Sequence, residues 1–473
     1  MVPEIDLLAI QHGSVAAPAG CGKTHVIAAS LAGHVGTRPV LVLTHTNAGV
    51  MALRTRLTRA GVRPSAFRLA TLDGWAMKLI AMFPKRSGHD PGILQLRRPS
   101  SDYPAIRRAA AQLLQSGQLS DVLAASYDRL LVDEYQDCLE LQHAMIGMAA
   151  QVLPTCVVGD PLQAIFGFAG KLVHWRDQVQ AVFPPAGTLS TPWRWINAGE
   201  AEFGQWLLAA RTKLLAGQPV DLRGAPDNVH WVPLDGTDDQ SRKLSACRTK
   251  PTSADGGVLI IAGSKDKSGQ RRFAGMTPGA VTVESVDLAD LVSLARSLDL
   301  EDPDALDRIA AFADDVMVDA AADDMVARVR RHDAHTQMAT VSDAVQAGLA
   351  FASRPSYQAA VNLLIELNKQ GGVRVHRPAV LSSCLTALSA SDLAVPGSFF
   401  EAAMRAREEH RSRGRPLPNR AVGSTLLLKG LEADTVVLLD PTEMDTAHLY
   451  VAITRGSRRL VVCSPSPVLT PVR

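Results

Sequence analysis

SVAAPAGCGKTHVIAASLAG, residues 14–33, is the stretch on which the fold turns. Ser14 to Ala16 read as the end of a short buried strand, and the run after Thr24, HVIAASLAG, reads as a helix. Between them lies APAGCGKT, residues 17–24, one residue away from G-x-x-x-x-G-K-[ST], with Ala17 where the first glycine would stand. A strand that enters a glycine-rich turn and leaves as a helix forms a phosphate loop, because the helix N-terminus is positive and its N–H groups point outward. Ala19, Gly20, Cys21, Gly22 and Lys23 are therefore expected to cradle phosphates, with Lys23 reaching the outermost and Thr24 ligating magnesium.

Outward from this loop, strand-like runs alternate with helix-like runs. PVLVLTHT, RLLVDE and TCVVGD are separated by NAGVMALRTRLTRAG and LELQHAMIGMAAQV. That alternation argues for a parallel α/β domain over residues 1–186, with a helical insert at about 76–128 forming an accessory lobe. A second α/β unit is expected from 187–285 and 416–473, built on GGVLIIAGS, TVVLLD and RRLVVCS. Residues 286–415, rich in helix formers, are expected as an inserted helical domain. GSTLLLKGLEADTVVLLD, residues 423–440, reads as strand, turn and strand, with its leucines in a buried strand and the turn at Lys429-Gly430.

The totals narrow the class. At 473 residues the chain is too long for one core. Hydrophobic residues at 47% beside 20% charged residues describe a globular chain, and no apolar run approaches the ~18 residues of a membrane span. The start MVPEIDLLAI lacks a basic n-region and cleavage site, so a cytoplasmic protein is the expectation. Six scattered cysteines form no CxxC or Cys/His spacing, which argues against a zinc site and a disulfide framework. A net charge of +2 leaves any nucleic-acid contact to local basic stripes.

LLVDEYQD, residues 130–137, puts Asp133 and Glu134 at the carboxyl end of a buried strand, where open α/β sheets bind ligands. Asp133 can hold magnesium, and Glu134 can orient and deprotonate an attacking water. Adjacent acids after a strand are often only a solvated loop, but downstream of a phosphate loop in an alternating fold they point to an NTPase.

VDEYQD followed by VGDPLQAIFGF resembles the superfamily 1A helicases of the UvrD/Rep type, and further motifs follow the family order. The resemblance implies two RecA-like parallel-sheet P-loop domains with short helical inserts, ATP and Mg2+ as cofactors, and DNA as partner. LTHTNAGVMALRTRL resembles motif Ia and ATLDGWA motif Ic, which places Thr46, Asn47, Arg54 and Thr71 toward single-stranded DNA. In motif III Gln163 would sense the γ-phosphate, while Phe166 and Phe168 either stack on bases or belong to the core. LSTPWRW resembles motif IV, with Arg194 reaching the γ-phosphate and Trp193 where a tyrosine stacks on adenine. LLLKGLEADTVV resembles motif V, with Gly430 near the γ-phosphate and Glu432 meeting the ribose. LYVAITRGSRRL resembles motif VI, with Arg455 as an arginine finger expected from the second domain.

Several positions depart from the family pattern. His25 stands where an arginine that packs on the base is usual, and Gln11 is too close to the loop for the upstream adenine-reading glutamine. NTP hydrolysis is thus specified more closely than ATP. Ala48, Asp73 and Ala169 replace a lysine, a histidine and an arginine, and Leu426-Leu427 replace a His-Ser pair that addresses the strand. Arg54, Arg56, Arg59, Arg63 and Arg68 are candidates for phosphate contacts or for a solvated helix face. Two functions remain open. One is a helicase or translocase on single-stranded or tailed duplex DNA, 3′ to 5′ by the resemblance. The other is a DNA-responsive NTPase switch that regulates a partner effector, such as a nuclease in anti-phage defence, without processive unwinding.

Overall fold

A computed structural model describes residues 4–167, 170–285, 287–331, 341–412 and 418–472. The chain divides into two compact units, Met1–Asn228 with Met444–Arg458 and Val468–Arg473, and Val229–Glu443 with Arg459–Pro467.

The first unit is built on β1 (His12–Ala16), β2 (Val40–Thr44), β3 (Phe67–Thr71), β4 (Arg129–Val132), β5 (Thr155–Gly159) and β6 (Pro185–Thr188). They form one sheet in the order β3-β2-β4-β5-β1-β6 with every neighbouring pair parallel. The central strands read as continuous apolar runs because both faces are covered. Along β2, Val40 and Val42 join one core with Val15, Ile27, Leu31 and Leu57, while Leu41 and Leu43 join the other with Trp75, Leu79, Ile106 and Ile146. The two-residue side-chain period sends alternate residues to opposite layers.

The helices between β3 and β4, chiefly Leu72–Met82 and Pro99–Gln115, share that second core with the sheet. They are therefore continuous with the domain and do not form a separate lobe. Asp73 fastens them: Arg107 donates to its carboxylate at 2.7 and 2.6 Å, and Gln142 Nε2 donates at 3.0 Å. The stretch after Gly187 also packs with the first unit, because β6 adds to the edge strand β1. The Ala201–Leu215 helix follows, and β7 (Val220–Asp221) pairs antiparallel with the distant β16 (Val468–Leu469).

The second unit carries β8 (Val229–Pro233), β9 (Val258–Ile261), β10 (Val281–Thr282), β13 (Arg420–Gly423), β14 (Ala433–Leu439) and β15 (Gly456–Ser464), in the order β10-β13-β9-β14-β15-β8. Between β10 and β13 lie helices from Ala289–Ser297 to Ser398–Ser412 and a small ladder of β11 (Met317–Val318) with β12 (Arg374–Val375). These helices have their own core, including Leu291, Ile309, Phe312, Leu363 and Phe399. At their base the fully buried Arg377 pairs with Glu284 at 2.6 Å, Asp290 at 2.5 Å and Asp315.

The segment 423–440 corrects the sequence reading. β13 ends at Gly423, Ser424 caps a single helical turn, Thr425–Leu428, and β14 follows. Leu428 is fully buried, whereas Leu426 and Leu427 are half-buried on that turn. No hairpin forms, because β13 and β14 both pair parallel to β9 from opposite sides. Parallel neighbours need a crossover connection and cannot be joined by a tight turn.

Candidate active site

Register places the site. Ala16 pairs with Gly159 and Val132 with Val157, so the loops leaving β1, β4 and β5 emerge side by side at the carboxyl edge of the first sheet. Gly159 permits the close approach: a Cβ there would lie 2.5 Å from Gln136 Oε1 and 3.0 Å from the Trp175 ring.

The loop expected to cradle phosphates turns on Gly20 at φ 71° and Gly22 at φ 80°, left-handed values that glycine adopts without steric cost. Gly22 caps the Lys23–Ala32 helix. Lys23 Nζ lies 2.8 Å from Asp133 Oδ1 and also pairs with Glu134. Burial alone would lower the Lys23 pKa, but Asp133 and then Glu134 overrule it and hold the ammonium charged. Burial pushes Asp133 above the ordinary carboxylate value, Lys23 pulls it back, and Glu134 adds to the rise. Glu134 sits at φ 57°, a conformation that costs a non-glycine residue about 1–2 kcal/mol.

From Glu134 a chain of hydrogen bonds crosses the site. Gln136 Nε2 donates to Glu134 Oε2 at 2.5 Å, and Gln136 Oε1 accepts from the Asp160 N–H at 3.0 Å. Gln163 Nε2 donates to Asp160 Oδ2 at 3.0 Å, and its Oε1 accepts from Arg455 Nη2 at 3.3 Å. Arg211 Nη2 donates to Asp160 Oδ1 at 2.9 Å. The Tyr450 hydroxyl accepts the Ala19 N–H at 3.0 Å.

Arg455 belongs to the first unit, not to the second as the sequence implied. The reason is local: Leu449 to Ile453 of the preceding helix are all buried, and two residues of the 187–228 stretch grip its end. Arg194 Nη1 donates to Thr454 O at 2.5 Å and Trp195 Nε1 to Gly456 O at 2.9 Å. The Arg194 N–H also bonds Gly20 O at 3.0 Å, which ties this grip to the glycine-rich loop. Trp193 is half-buried, and a Cβ on Gly22 would stand 2.9 Å from its ring. His25 is exposed. Cys21 is buried, and burial foremost pushes its thiol up to about 12, so it is unreactive at neutral pH.

The residues expected to face DNA are differently placed. Thr46 and Thr71 each cap a helix, accepting from Gly49 N and Gly74 N at 3.0 Å. Asn47 and Arg54 are exposed on the first of these helices, and Phe166 is half-buried. Phe168 lies outside the described residues. Arg56 Nη1 donates to Thr24 Oγ1 at 2.8 Å, at the hydroxyl expected to ligate metal. Arg63 donates to His34 O at 3.0 Å, and Arg68 to Pro64 O at 3.2 Å and Phe67 O at 2.9 Å. Gly430, at φ 83°, and the exposed Glu432 belong to the second unit.

Gln136, Asp160, Arg211 and Tyr450 were assigned no role from sequence. For Arg211 a signal existed: it shares the buried face of its helix with Phe203, Leu207, Ala210 and Leu214, where a cation requires a partner.

Residues 95–184 match the UvrD/REP helicase N-terminal domain family. This stretch holds both VDEYQD and VGDPLQAIFGF, so the match and the motif resemblance agree on a UvrD-like superfamily 1 helicase as what the chain is similar to. Among solved structures, the chain is similar to the arterivirus nonstructural protein 10 helicase in complex with DNA, at 10% identity and a TM-score of 0.36, over 97% of this chain and 62% of that one. It is also similar to the PRRSV helicase, at 11% identity and a TM-score of 0.36, over 97% of this chain and 53% of that one. The chain thus spans less than two thirds of either. No curated protein matches the chain by sequence.

Proposed function

We propose that this chain is an ATP-dependent DNA helicase or translocase that couples Mg-ATP hydrolysis to movement on single-stranded DNA, with 3′ to 5′ polarity following from the motif resemblance. The observation that carries the reading is one connected set of contacts in the first unit, from Lys23 through Asp133, Glu134, Gln136, Asp160 and Gln163 to Arg455. Lys23 and the N–H groups around Gly20 to Lys23 bind and orient the phosphates. Glu134 takes the proton of the attacking water, and its fixed backbone and the Gln136 hydrogen bond aim the carboxylate. Gln163, Arg194 and Arg455 supply donors and positive charge for the γ-phosphate.

The donor set fits magnesium. Thr24 offers one hydroxyl and Asp133 one buried carboxylate, and the described residues contain no group of three or more His, Cys, Asp or Glu side chains suited to a closed metal cage. Mg2+ is usually held by one or two carboxylates together with substrate phosphates. Bound there, the ion would neutralise phosphate charge.

The alternative, a DNA-responsive NTPase switch acting on a nuclease or other effector partner, draws support from the same geometry. Thr46 and Thr71 use their hydroxyls as helix caps, and Asp73, at a position where the family has histidine, is committed to Arg107. Roles in DNA repair or in anti-phage defence stand with these two readings respectively.

Hydrolysis measured with and without single-stranded DNA, beside displacement of a strand from a 3′-tailed duplex, separates the two. The helicase reading expects DNA-stimulated turnover with strand displacement. Stimulated turnover without displacement sinks that reading for the isolated chain and leaves the switch. Lys23→Ala and Glu134→Gln are each expected to abolish turnover, with Glu134→Gln retaining nucleotide binding. Continued hydrolysis by Glu134→Gln would refute Glu134 as the base.

A further inference from the structure

We infer that Arg211 and the Asp160 carboxylate form a positioning pair that orients Gln163 toward the arginine finger. The inference rests on the NTPase reading above and concerns two residues outside its reacting groups. Asp160 is 2% exposed and Arg211 8% exposed, so neither is a surface charge.

Donors and acceptors dictate the orientations. A carboxylate only accepts hydrogen bonds, whereas a glutamine amide offers a donor at one end and an acceptor at the other. Asp160 takes the Gln163 amide nitrogen, so Gln163 must turn its oxygen outward, and that oxygen receives Arg455. On the other side the Asp160 N–H takes the Gln136 oxygen, so the Gln136 nitrogen must face Glu134. The Asp160 carboxylate thereby sets the direction of the amide that ends on the finger, and the backbone N–H of the same residue that of the amide that ends on the base. Reversing Gln163 would set its NH2 against a guanidinium, donor against donor.

Arg211 holds the hub in place. It donates to Asp160 Oδ1 beside the Leu162 N–H at 3.3 Å, leaving Oδ2 for Gln163. It also carries a cost that packing does not explain: Arg211 Nε is buried with no hydrogen-bond partner among the described residues. An apolar side chain facing Phe203 and Leu207 would leave no such orphan donor. Retention of a guanidinium there fits a residue kept for what it does to Asp160.

The test is steady-state hydrolysis and nucleotide binding by the full chain for Arg211→Met, Asp160→Asn and the double variant, each with a melting curve. Arg211→Met keeps the stem and removes the charge. It is expected to lower kcat on the order of 10- to 100-fold, as displacement of reacting groups does, with nucleotide KM and Kd within about threefold of the parent. Because the single variant strands a buried carboxylate, the double variant is the control for folding. It is expected to recover the melting temperature without recovering kcat, since an amide in place of the Asp160 carboxylate can both donate and accept and no longer dictates the Gln163 orientation. Recovery of both overturns the inference and leaves the pair a structural ion pair, as does Arg211→Met with a lowered melting temperature and unchanged kcat. Lys23→Ala in the same assay reports on the NTPase reading by itself. A parent chain without turnover, or turnover that survives Lys23→Ala, overturns that reading and the positioning role together.

Discussion

Replacing Lys23 with methionine keeps the aliphatic stem and deletes the charge that two carboxylates share. The ammonium is 2.8 Å from Asp133 and also pairs with Glu134; the Asp133 side chain is 12% exposed and that of Glu134 38%. Removing one partner of a buried ion pair costs about 3–5 kcal/mol, because the remaining charge is left uncompensated. Asp133 carries most of that, since the more exposed Glu134 is screened by solvent. The pH dependence follows from the directions of the shifts. Burial already raises Asp133, and Lys23 is the nearest group that opposes the rise. Without Lys23, burial and the Glu134 charge act upward unopposed by it, and the folded-state pKa of Asp133 climbs further above its unfolded value.

A native state that binds more protons than the unfolded chain loses stability as pH rises. The variant should therefore come closest to the parent at low pH. It should fall away by up to about 1.4 kcal/mol per pH unit as pH passes through the raised Asp133 pKa, to the ceiling set by the broken pair. The parent has no matching slope from Lys23. The carboxylates raise its pKa, so its contribution is fully present below the unfolded lysine value and is lost only as pH climbs through the folded value in the strongly alkaline range. Urea unfolding followed by tryptophan fluorescence, from about pH 5 to about pH 8, measures the gap. A gap that stays constant, or narrows with rising pH, refutes the reasoning.

Gly20→Ala forces a side chain into φ 71° and sets a Cβ against the Trp195 ring and 3.1 Å from Arg194 Cβ. The expected result is a loss of about 2 kcal/mol or more together with nucleotide binding, read by chemical unfolding and titration with a fluorescent nucleotide. For Asp73 and Arg107, joined by two hydrogen bonds at 2.7 and 2.6 Å, an alanine double-mutant cycle should return a coupling of about 1–3 kcal/mol. A coupling near zero would show that the insert is held by its apolar core alone.

The placement of the candidate nucleotide-binding residues at one edge of the first sheet was legible because their pattern is local. A strand, a glycine turn and a helix occupy adjacent residues, so Gly20, Gly22, Lys23 and Thr24 announce their positions together. Asp133 and Glu134 were legible for the same reason, at the end of an apolar strand. The three leucines at 426–428 misled because a short apolar run suits a buried strand and a helical turn equally. Ser424, which caps that turn through Leu427 N at 3.4 Å, was the residue that distinguished them.

What the sequence by itself determined is the set of parts: two α/β units, a glycine-rich loop between strand and helix, an acid pair at a strand end, and the order of motifs between them. Only the tertiary structure decided which parts meet. That Arg455 is held against Gln163 within the first unit depends on residues 292 positions apart, and that Arg211 answers Asp160 spans 51. Neither pairing has a local pattern. Each follows from sheet order and from the cost of burying a charge without its partner, and both are settled only when the chain closes on itself.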